Sequence, residues 1–328
     1  MRVPYHQLKA EFKRVLLSHK FTESSADECA GIFADNSRDG VHSHGLNRFT
    51  EFVDHIKMGL VYPDAEPSMV NAMGALEQWD GNQAPGMLNA RKSMARAIEL
   101  AKQNGIGCIA IKNTNHWMRG GTYGWQAADA GCIVICFTNT IANMPPWGST
   151  QPGIGNNPLV IAVPRKGGHV VLDMAMSQYA IGKLKQHEQN NEPLPQAGGY
   201  DKDGNLSTDA AMILESKRLL PAGFWKGSGL AMLLDMLATV LSGGNSTAAI
   251  TQADKRETKV SQVFICIKAD HNNNDSLIEE IISYTKTGAT EHGSEILYPG
   301  ENTLRNRERS LAEGVWVDDE IWKTVLWM

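Results

Sequence analysis

Leu100-Ala101-Lys102-Gln103-Asn104-Gly105-Ile106-Gly107-Cys108-Ile109-Ala110-Ile111 changes its apolar period once, and that change decides the fold class. Upstream, Met87, Ala90, Met94, Ala97, Ile98 and Ala101 fall on one helical stripe, the 3.6-residue pattern of an amphipathic helix. Asn104-Gly105 then supplies a left-handed C-cap, because glycine takes positive φ without a Cβ penalty. Ile106 to Ile111 reads as a short buried strand. A loop from Asn113 to Gly121, a helix from about Thr122 to Ala130 and a second apolar run, Cys132 to Phe137, repeat the order. Helix and buried strand in alternation indicate a mixed α/β architecture.

Outward from this centre, the first 60 residues read as helical. Ser25-x-x-Glu28 has the form of a capping box leading into Cys29, Ile32 and Phe33, and Ser43 stands where it would cap a following helix. Tyr62 to Pro67 is a Pro-bearing connection. Further strands are expected at Leu159 to Val163, His169 to Asp173 and Val260 to Ile267. Lys185 to Thr208 reads as a long loop, Leu230 to Leu241 as a buried apolar helix, Asp270 to Asp275 as a polar connection and Ser276 to Tyr284 as a helix. The expected organisation is one region over 1–328: a helical part at about 1–60, a discontinuous α/β core at about 70–300, and a C-terminal segment at 300–328 packing back.

Composition narrows the function classes. Formal net charge is -5 and 42% of residues are hydrophobic, with no basic run of the kind that binds nucleic acid. No apolar stretch approaches the roughly 20 residues of a membrane span, and Met1 to His6 lacks an apolar leader core, so a cytoplasmic location is the expectation. The five cysteines, without a CxxC, read as reduced core residues.

The chemistry-bearing segment is Gly40-Val41-His42-Ser43-His44-Gly45-Leu46-Asn47-Arg48-Phe49. Leu46, Phe49, Val53 and Ile56 form an apolar stripe, which places His44 and Arg48 together on the opposite face, four residues apart. Three readings fit that pair. It is a solvated polar face; or a guanidinium that grips a carboxylate beside a histidine that protonates the neighbouring carbonyl oxygen; or, through His42-x-His44, half of a metal site. The other histidines lack a matching ligand spacing, so no metal is expected.

No G-x-G-x-x-G follows a strand and opens a helix; Gly153-Ile154-Gly155-Asn156-Asn157-Pro158 leads into a strand. A Rossmann dehydrogenase is disfavoured. Lys226-Gly227-Ser228-Gly229 and Arg119-Gly120-Gly121 each precede a helix and offer a pyrophosphate cradle or mere close packing. His116 lies in a loop after a strand, and Asp173 ends one, as a turn cap or as a partner to a histidine.

Taken in order, His42-Ser43-His44-Gly45 with Arg48, Asn115-His116 with Gly120-Gly121, Gly155-Asn156-Asn157-Pro158, Val171-Leu172-Asp173-Met174 and Gly223 to Gly229 resemble the second family of malate and L-lactate dehydrogenases, unrelated to the Rossmann enzymes. The resemblance implies a non-Rossmann nucleotide-binding fold of the malate/L-sulfolactate dehydrogenase type, its nucleotide part at about 120–270. It also implies a homodimer that uses NADH or NADPH on a small keto sugar acid. His44 would be the proton donor and Arg48 the carboxylate clamp, with His116 and Asp173 as further site residues. Asp173 is expected as the counter-charge that keeps His44 protonated. Cofactor contacts would come from Gly168, His169, Val170, Val171, Leu172, Asp173 and Met174, from Phe224 and Trp225, and from Gly300, Glu301 and Asn302. A malate, lactate, sulfolactate or cyclic imino acid specificity is the alternative within the family, and a non-catalytic sugar-acid binder the alternative outside it.

Overall fold

The computed structural model describes residues 1–253, 256–269, 274–290 and 294–328. The chain opens with a short strand β1 (Arg2–Val3), then α1 (Tyr5–Ser18), α2 (Glu23–Arg38), a 3-10 turn at His42–His44 and α3 (Leu46–Lys57). A hairpin of β2 (Ser68–Met73) and β3 (Leu76–Asp80) leads into α4 (Gly86–Asn104), β4 (Ile106–Thr114), α5 (Gly121–Asp129) and β5 (Cys132–Thr138). Next come β6 (Leu159–Val163), β7 (Val170–Met174), α6 (Ile181–Asn190), a hairpin of β8 (Gly199–Tyr200) and β9 (Leu206–Ser207), α7 (Ala210–Ser216), α8 (Trp225–Ser242) and α9 (Thr247–Ala253). The chain closes with β10 (Val260–Lys268), α10 (Asn274–Lys286), α11 (Glu301–Glu313), β11 (Val315–Trp316) and α12 (Asp319–Trp327).

Among the described residues the main sheet has seven strands in the order β2-β3-β4-β10-β5-β6-β7. Of their pairings β3–β4 is parallel and the others antiparallel, so the architecture is mixed α/β as the period change indicates. α4 ends where Gly105 takes φ 82°, and β4 starts one residue later. Along β4 the side chains alternate as a pleated strand requires: Ile109 and Ile111 enter the core beneath α4 and α5, and Ala110 enters the core on the other face with Ala231, Leu234 and Ala238 of α8. β10 lies between β4 and β5, with Phe264 opposite both Ile109 and Cys136. A strand paired on both edges and covered on both faces reads as a continuous apolar run, as Val263 to Ile267 does.

A separate core unites α1, α2 and α3 around Phe12, Phe33 and Phe49, whose ring centroids are 4.4 Å (Phe12–Phe49) and 5.1 Å (Phe33–Phe49) apart. Val315, Val317, Trp322 and Val325 of the C-terminal segment pack into the same core.

Four sequence expectations need correction. α2 begins at Glu23 under Thr22, whose hydroxyl accepts the Ser25 N–H at 3.2 Å, so the cap lies upstream of the Ser25-x-x-Glu28 box. Ser43 does not cap α3. That helix starts at Leu46, and its first N–H donates to Ser37 Oγ of α2 at 2.9 Å, a cap from a distant element that local spacing cannot reveal. Lys185 to Thr208 is only partly loop, because it contains the end of α6 and the β8–β9 hairpin. Finally, α8 is not buried all round: Met232, Leu233, Met236, Leu237 and Val240 are exposed, the last at 74%. Of the connection read at Asp270 to Asp275, residues 270–273 lie outside the described residues.

Gly107 shows how closely α4 approaches β4. A Cβ there would lie 2.2 Å from Ala97 O and 2.8 Å from Ala101 N. Gly107→Ala therefore should lower stability by about 1–3 kcal/mol in urea unfolding, although adding a side chain to a strand ordinarily helps. Unaltered stability would mean that the helix shifts freely on the strand.

Candidate active site

The buried end of α2 builds the turn that carries the histidines. Asn36 Nδ2 donates to His44 O at 2.9 Å, and the Val41 N–H closes on Asn36 O at 2.8 Å. Gly45 lets the turn pass Ser37, because a Cβ there would fall 2.2 Å from Ser37 Oγ. α6 reaches the same turn, with a Cβ on Gly182 only 2.6 Å from Ser43 Cβ. Ser43 Oγ is hydrogen-bonded with His44 Nδ1 at 2.9 Å.

His44 and Arg48 do not share one α-helix, since the first is in the 3-10 turn and the second in α3. A third element nonetheless ties them to one place. The His44 ring stacks on His116, with centroids 5.7 Å apart and planes within 17°. His116 Nδ1 accepts the Met118 N–H at 3.0 Å, so the neutral ring must carry its proton on Nε2. That Nε2 lies 3.3 Å from Glu257 Oε2, and the same oxygen accepts from Arg48 Nη2 at 3.3 Å. Arg48 Nη1 is 3.1 Å from Glu51. The apolar stripe of α3 fixes Arg48 from behind, with Leu46, Phe49 and Val53 buried.

Glu257 escaped the sequence reading. It is one glutamate in a polar stretch more than 200 residues from Arg48, and neither spacing nor composition marks it.

The electrostatics of the cluster are dominated by burial. Desolvation, followed by His116 and Arg48, lowers His44 to about 3, against an opposing contribution from Glu257. His116 is driven well below the ordinary histidine range by burial, Arg48 and His55. Both imidazoles are therefore neutral at pH 7. His42 turns away from the pair, its ring 4.9 Å from Trp316, so His42 and His44 do not converge as metal ligands. Among the described residues no group of three or more His, Cys, Asp and Glu is placed to hold a metal ion.

Asp173 sits elsewhere than the counter-charge expectation puts it. Its Oδ2 accepts the Gly121 N–H at 2.8 Å and lies 3.7 Å from Arg119 Nε. Burial raises its carboxyl, with Arg119 and the Gly121 N–H acting against that rise. The start of α5, read above as a phosphate cradle at Arg119-Gly120-Gly121, is thus occupied by the chain's own carboxylate. Lys226-Gly227-Ser228-Gly229 lies inside α8, where Gly227 is required by packing, a Cβ there meeting Ala222 O at 2.3 Å.

Residues expected at a cofactor fall in two places. Gly168, His169 and the β7 strand meet the Gly300 turn: Val171 N–H donates to Pro299 O at 2.9 Å, and a Cβ on Gly300 would lie 3.1 Å from Val171 N. Beside them opens a cleft of about 700 Å³ lined by Trp125, Arg165, Gly168, His169, Leu304 and Arg307. Asp129 and Asp275 line it as well, and its two guanidiniums are already paired, Arg165 with Glu279 at 2.8 Å and Arg307 with Asp39 at 2.9 Å. Glu301 is held there by Lys286 at 2.7 Å and Arg305 at 2.8 Å, while Asn302 is exposed. Phe224 and Trp225 lie at the start of α8, both exposed, with Phe224 at φ 60° and 5.4 Å from the ring of Trp147.

A family model described as malate/L-lactate dehydrogenase matches residues 3–326. A protein named 2,3-diketo-L-gulonate reductase from Pasteurella multocida (strain Pm70) is 47% identical over 330 residues, covering 99% of each chain. Another of that name, from Haemophilus influenzae, is 46% identical over 327 residues, covering 98% of each. Among solved structures, sulfolactate dehydrogenase from Methanocaldococcus jannaschii superposes with a TM-score of 0.88 at 29% identity, covering 99% of this chain and 95% of that one. Malate dehydrogenase from Pyrococcus horikoshii OT3 gives 0.89 at 27%, covering 99% and 93%.

The depressed histidine has a consequence for stability. His44 stays neutral in the folded chain down to about pH 3, whereas an unperturbed histidine takes up its proton near 6.5. Its contribution is complete above pH 6.5 and is lost as the pH falls from there towards 3, at about 1.4 kcal/mol per pH unit. Urea titrations between pH 7 and 5 should show this slope reduced in His44→Gln; equal slopes would refute a neutral buried His44.

Proposed function

The chain belongs to the malate/L-lactate dehydrogenase family, and from that premise we propose that it reduces 2,3-diketo-L-gulonate to 3-dehydro-L-gulonate with hydride from NADH or NADPH. The observation that carries this reading is the convergence of Arg48 and His116 on a single carboxylate oxygen, with His44 stacked against His116. A guanidinium and two neutral imidazoles around one anion-sized position suit a 2-oxo acid.

No side chain carries a hydride, so the reduction draws it from a bound nicotinamide. The chain's own residues do the rest. Arg48 holds the C1 carboxylate through a charge-assisted fork, and His44 delivers its proton to the oxygen that becomes an alkoxide. A carboxylate on Arg48 offsets the repulsion that helps keep His44 neutral, so substrate binding itself favours the acid form. His116 lies against the reacting carbonyl, and Asp173 acts at one remove, holding the start of α5 and Arg119 in place. The nucleotide would run along Gly168 to Met174 with Gly300, Glu301 and Asn302 on one side, and Phe224 with Trp225 at the far end. The chain would work as a homodimer through the exposed face of α8, since Met232, Leu233, Met236, Leu237 and Val240 make an apolar patch that water alone covers poorly.

A panel of 2-oxo acids with each cofactor, followed by loss of reduced-cofactor absorbance, tests the activity. Turnover should be fastest with 2,3-diketo-L-gulonate, and inactivity with every 2-oxo acid would refute the reading. His44→Ala should lower kcat by about 100-fold or more, and Arg48→Met should raise KM by about 100-fold. Near-normal kcat in the first variant would remove His44 as the acid. For the dimer, Leu237→Asp with Val240→Asp should halve the mass in light scattering; an unchanged mass would place the interface elsewhere.

A further inference from the structure

Arg48 is flanked by carboxylates at both ends of its guanidinium. Nη1 is 3.1 Å from Glu51, and Nη2 is 3.3 Å from Glu257. Glu257 is the inner of the two, its side chain 16% exposed against 47% for Glu51. Neither is needed to grip a substrate carboxylate, and both compete with one. The charged and titratable groups acting on His44 are His116, Arg48, Glu257 and Arg119. Arg119 is already committed to Asp39 at 2.9 Å and to Asp173 at 3.7 Å. Arg256 enters the field of His55, together with Glu51, Arg48 and Glu257.

We infer that Glu257, supported by Glu51, makes this site select monoanionic 2-oxo acids with a neutral hydroxylated tail over dianionic ones such as oxaloacetate. The inference deepens the proposed function and rests on Arg48 as the carboxylate clamp. A first carboxylate takes over or shares the guanidinium that Glu257 holds. A second carboxylate on the same carbon chain enters a field already occupied by two like charges. At a separation of roughly 8 Å and an effective dielectric of about 20 to 80, each like charge disfavours the dianion by about 2- to 30-fold. A hydroxyl group meets the opposite situation, because a carboxylate oxygen accepts its hydrogen. Discrimination thus comes from a repulsive element set beside an attractive one.

The test compares wild type with Glu257→Gln and Glu257→Asp. L-lactate, a monoanion, and tartronate, a dianion, are titrated calorimetrically into the full-length protein with saturating NADH at fixed ionic strength. In parallel, kcat/KM is measured for 2,3-diketo-L-gulonate and oxaloacetate. Glu257→Gln should improve tartronate relative to L-lactate by about 10-fold and raise the oxaloacetate to diketogulonate ratio similarly, mainly through KM. Glu257→Asp, which keeps the charge, should retain the wild-type preference. An unchanged ratio in Glu257→Gln, or a shift towards the monoanion, overturns the inference while leaving the reductase reading intact. If no 2-oxo acid is reduced, the proposed function fails and the titrations still decide the selectivity. If neither anion binds to wild type or to Glu257→Gln, the clamp and the inference fall together. Should Glu257→Gln not fold, Glu51→Gln serves in its place, with the same direction of change by about 3-fold and the same overturning result.

Discussion

Asp39 is the joint on which the site depends. Its carboxylate is 4% exposed and accepts from Arg119 Nη1 at 2.9 Å, from Arg307 Nε at 3.0 Å and Nη2 at 2.9 Å, and from Arg38 Nε at 2.9 Å. Burial pushes the carboxyl up, but Arg307, Arg119 and Arg38 together hold it below the ordinary range. A lone buried carboxylate costs several kcal/mol, and removing it here would take a shared partner from three guanidiniums, so the group is stable only as an assembly. Asp35, 2.7 Å from Arg38 Nη1, and Asp173, 3.7 Å from Arg119 Nε, complete it. The assembly crosses the fold: it fastens α2 to the loop before α5, to β7 and to α11. Since α2 also positions the His44 turn and α11 starts from Gly300 against β7, the proposed acid and the cleft beside β7 are held in fixed relation by one ion cluster.

The alternation at the centre of the chain was legible because α4 to β5 obeys local rules. Its stripe, its glycine C-cap and its strand runs are set by neighbours in sequence, and all reappear with ends moved by a few residues. Caps supplied from outside an element were not legible, as the Ser37 hydroxyl on the first N–H of α3 illustrates. α8 was misjudged for another reason. Apolar composition records that a face avoids water, not what covers it, and half of that helix faces away from the chain's own core.

The site was legible in its local half. His44 and Arg48 are four residues apart, and each reaches the same cluster although they occupy different helices. Glu257 could not be found in this way, because a carboxylate that meets Arg48 across the fold leaves no trace in spacing. Asp173 reads in the sequence as a turn cap or as a partner to a histidine, and the geometry gives it the Gly121 N–H at the start of α5 and Arg119. The likeness to known dehydrogenases selects residues and not the partners they meet, since partners depend on register and packing.

The placement of charge also explains why a reductase of this kind tolerates a histidine held near 3. An imidazolium beside Arg48, with His116 stacked on it, would place two positive charges in a desolvated pocket whose nearest balancing charge is Glu257. The free chain avoids that state by leaving both rings neutral. On the proposed reading, a substrate brings the missing negative charge in its own carboxylate, at the same guanidinium that raises the cost of protonating His44. Recognition and proton supply are then one electrostatic event: an acid that is competent only when the clamp is filled does not waste its proton on an empty site. Glu257 and Glu51 already flank the Arg48 guanidinium at 3.3 and 3.1 Å, so a substrate carboxylate must share it with a resident one or displace it.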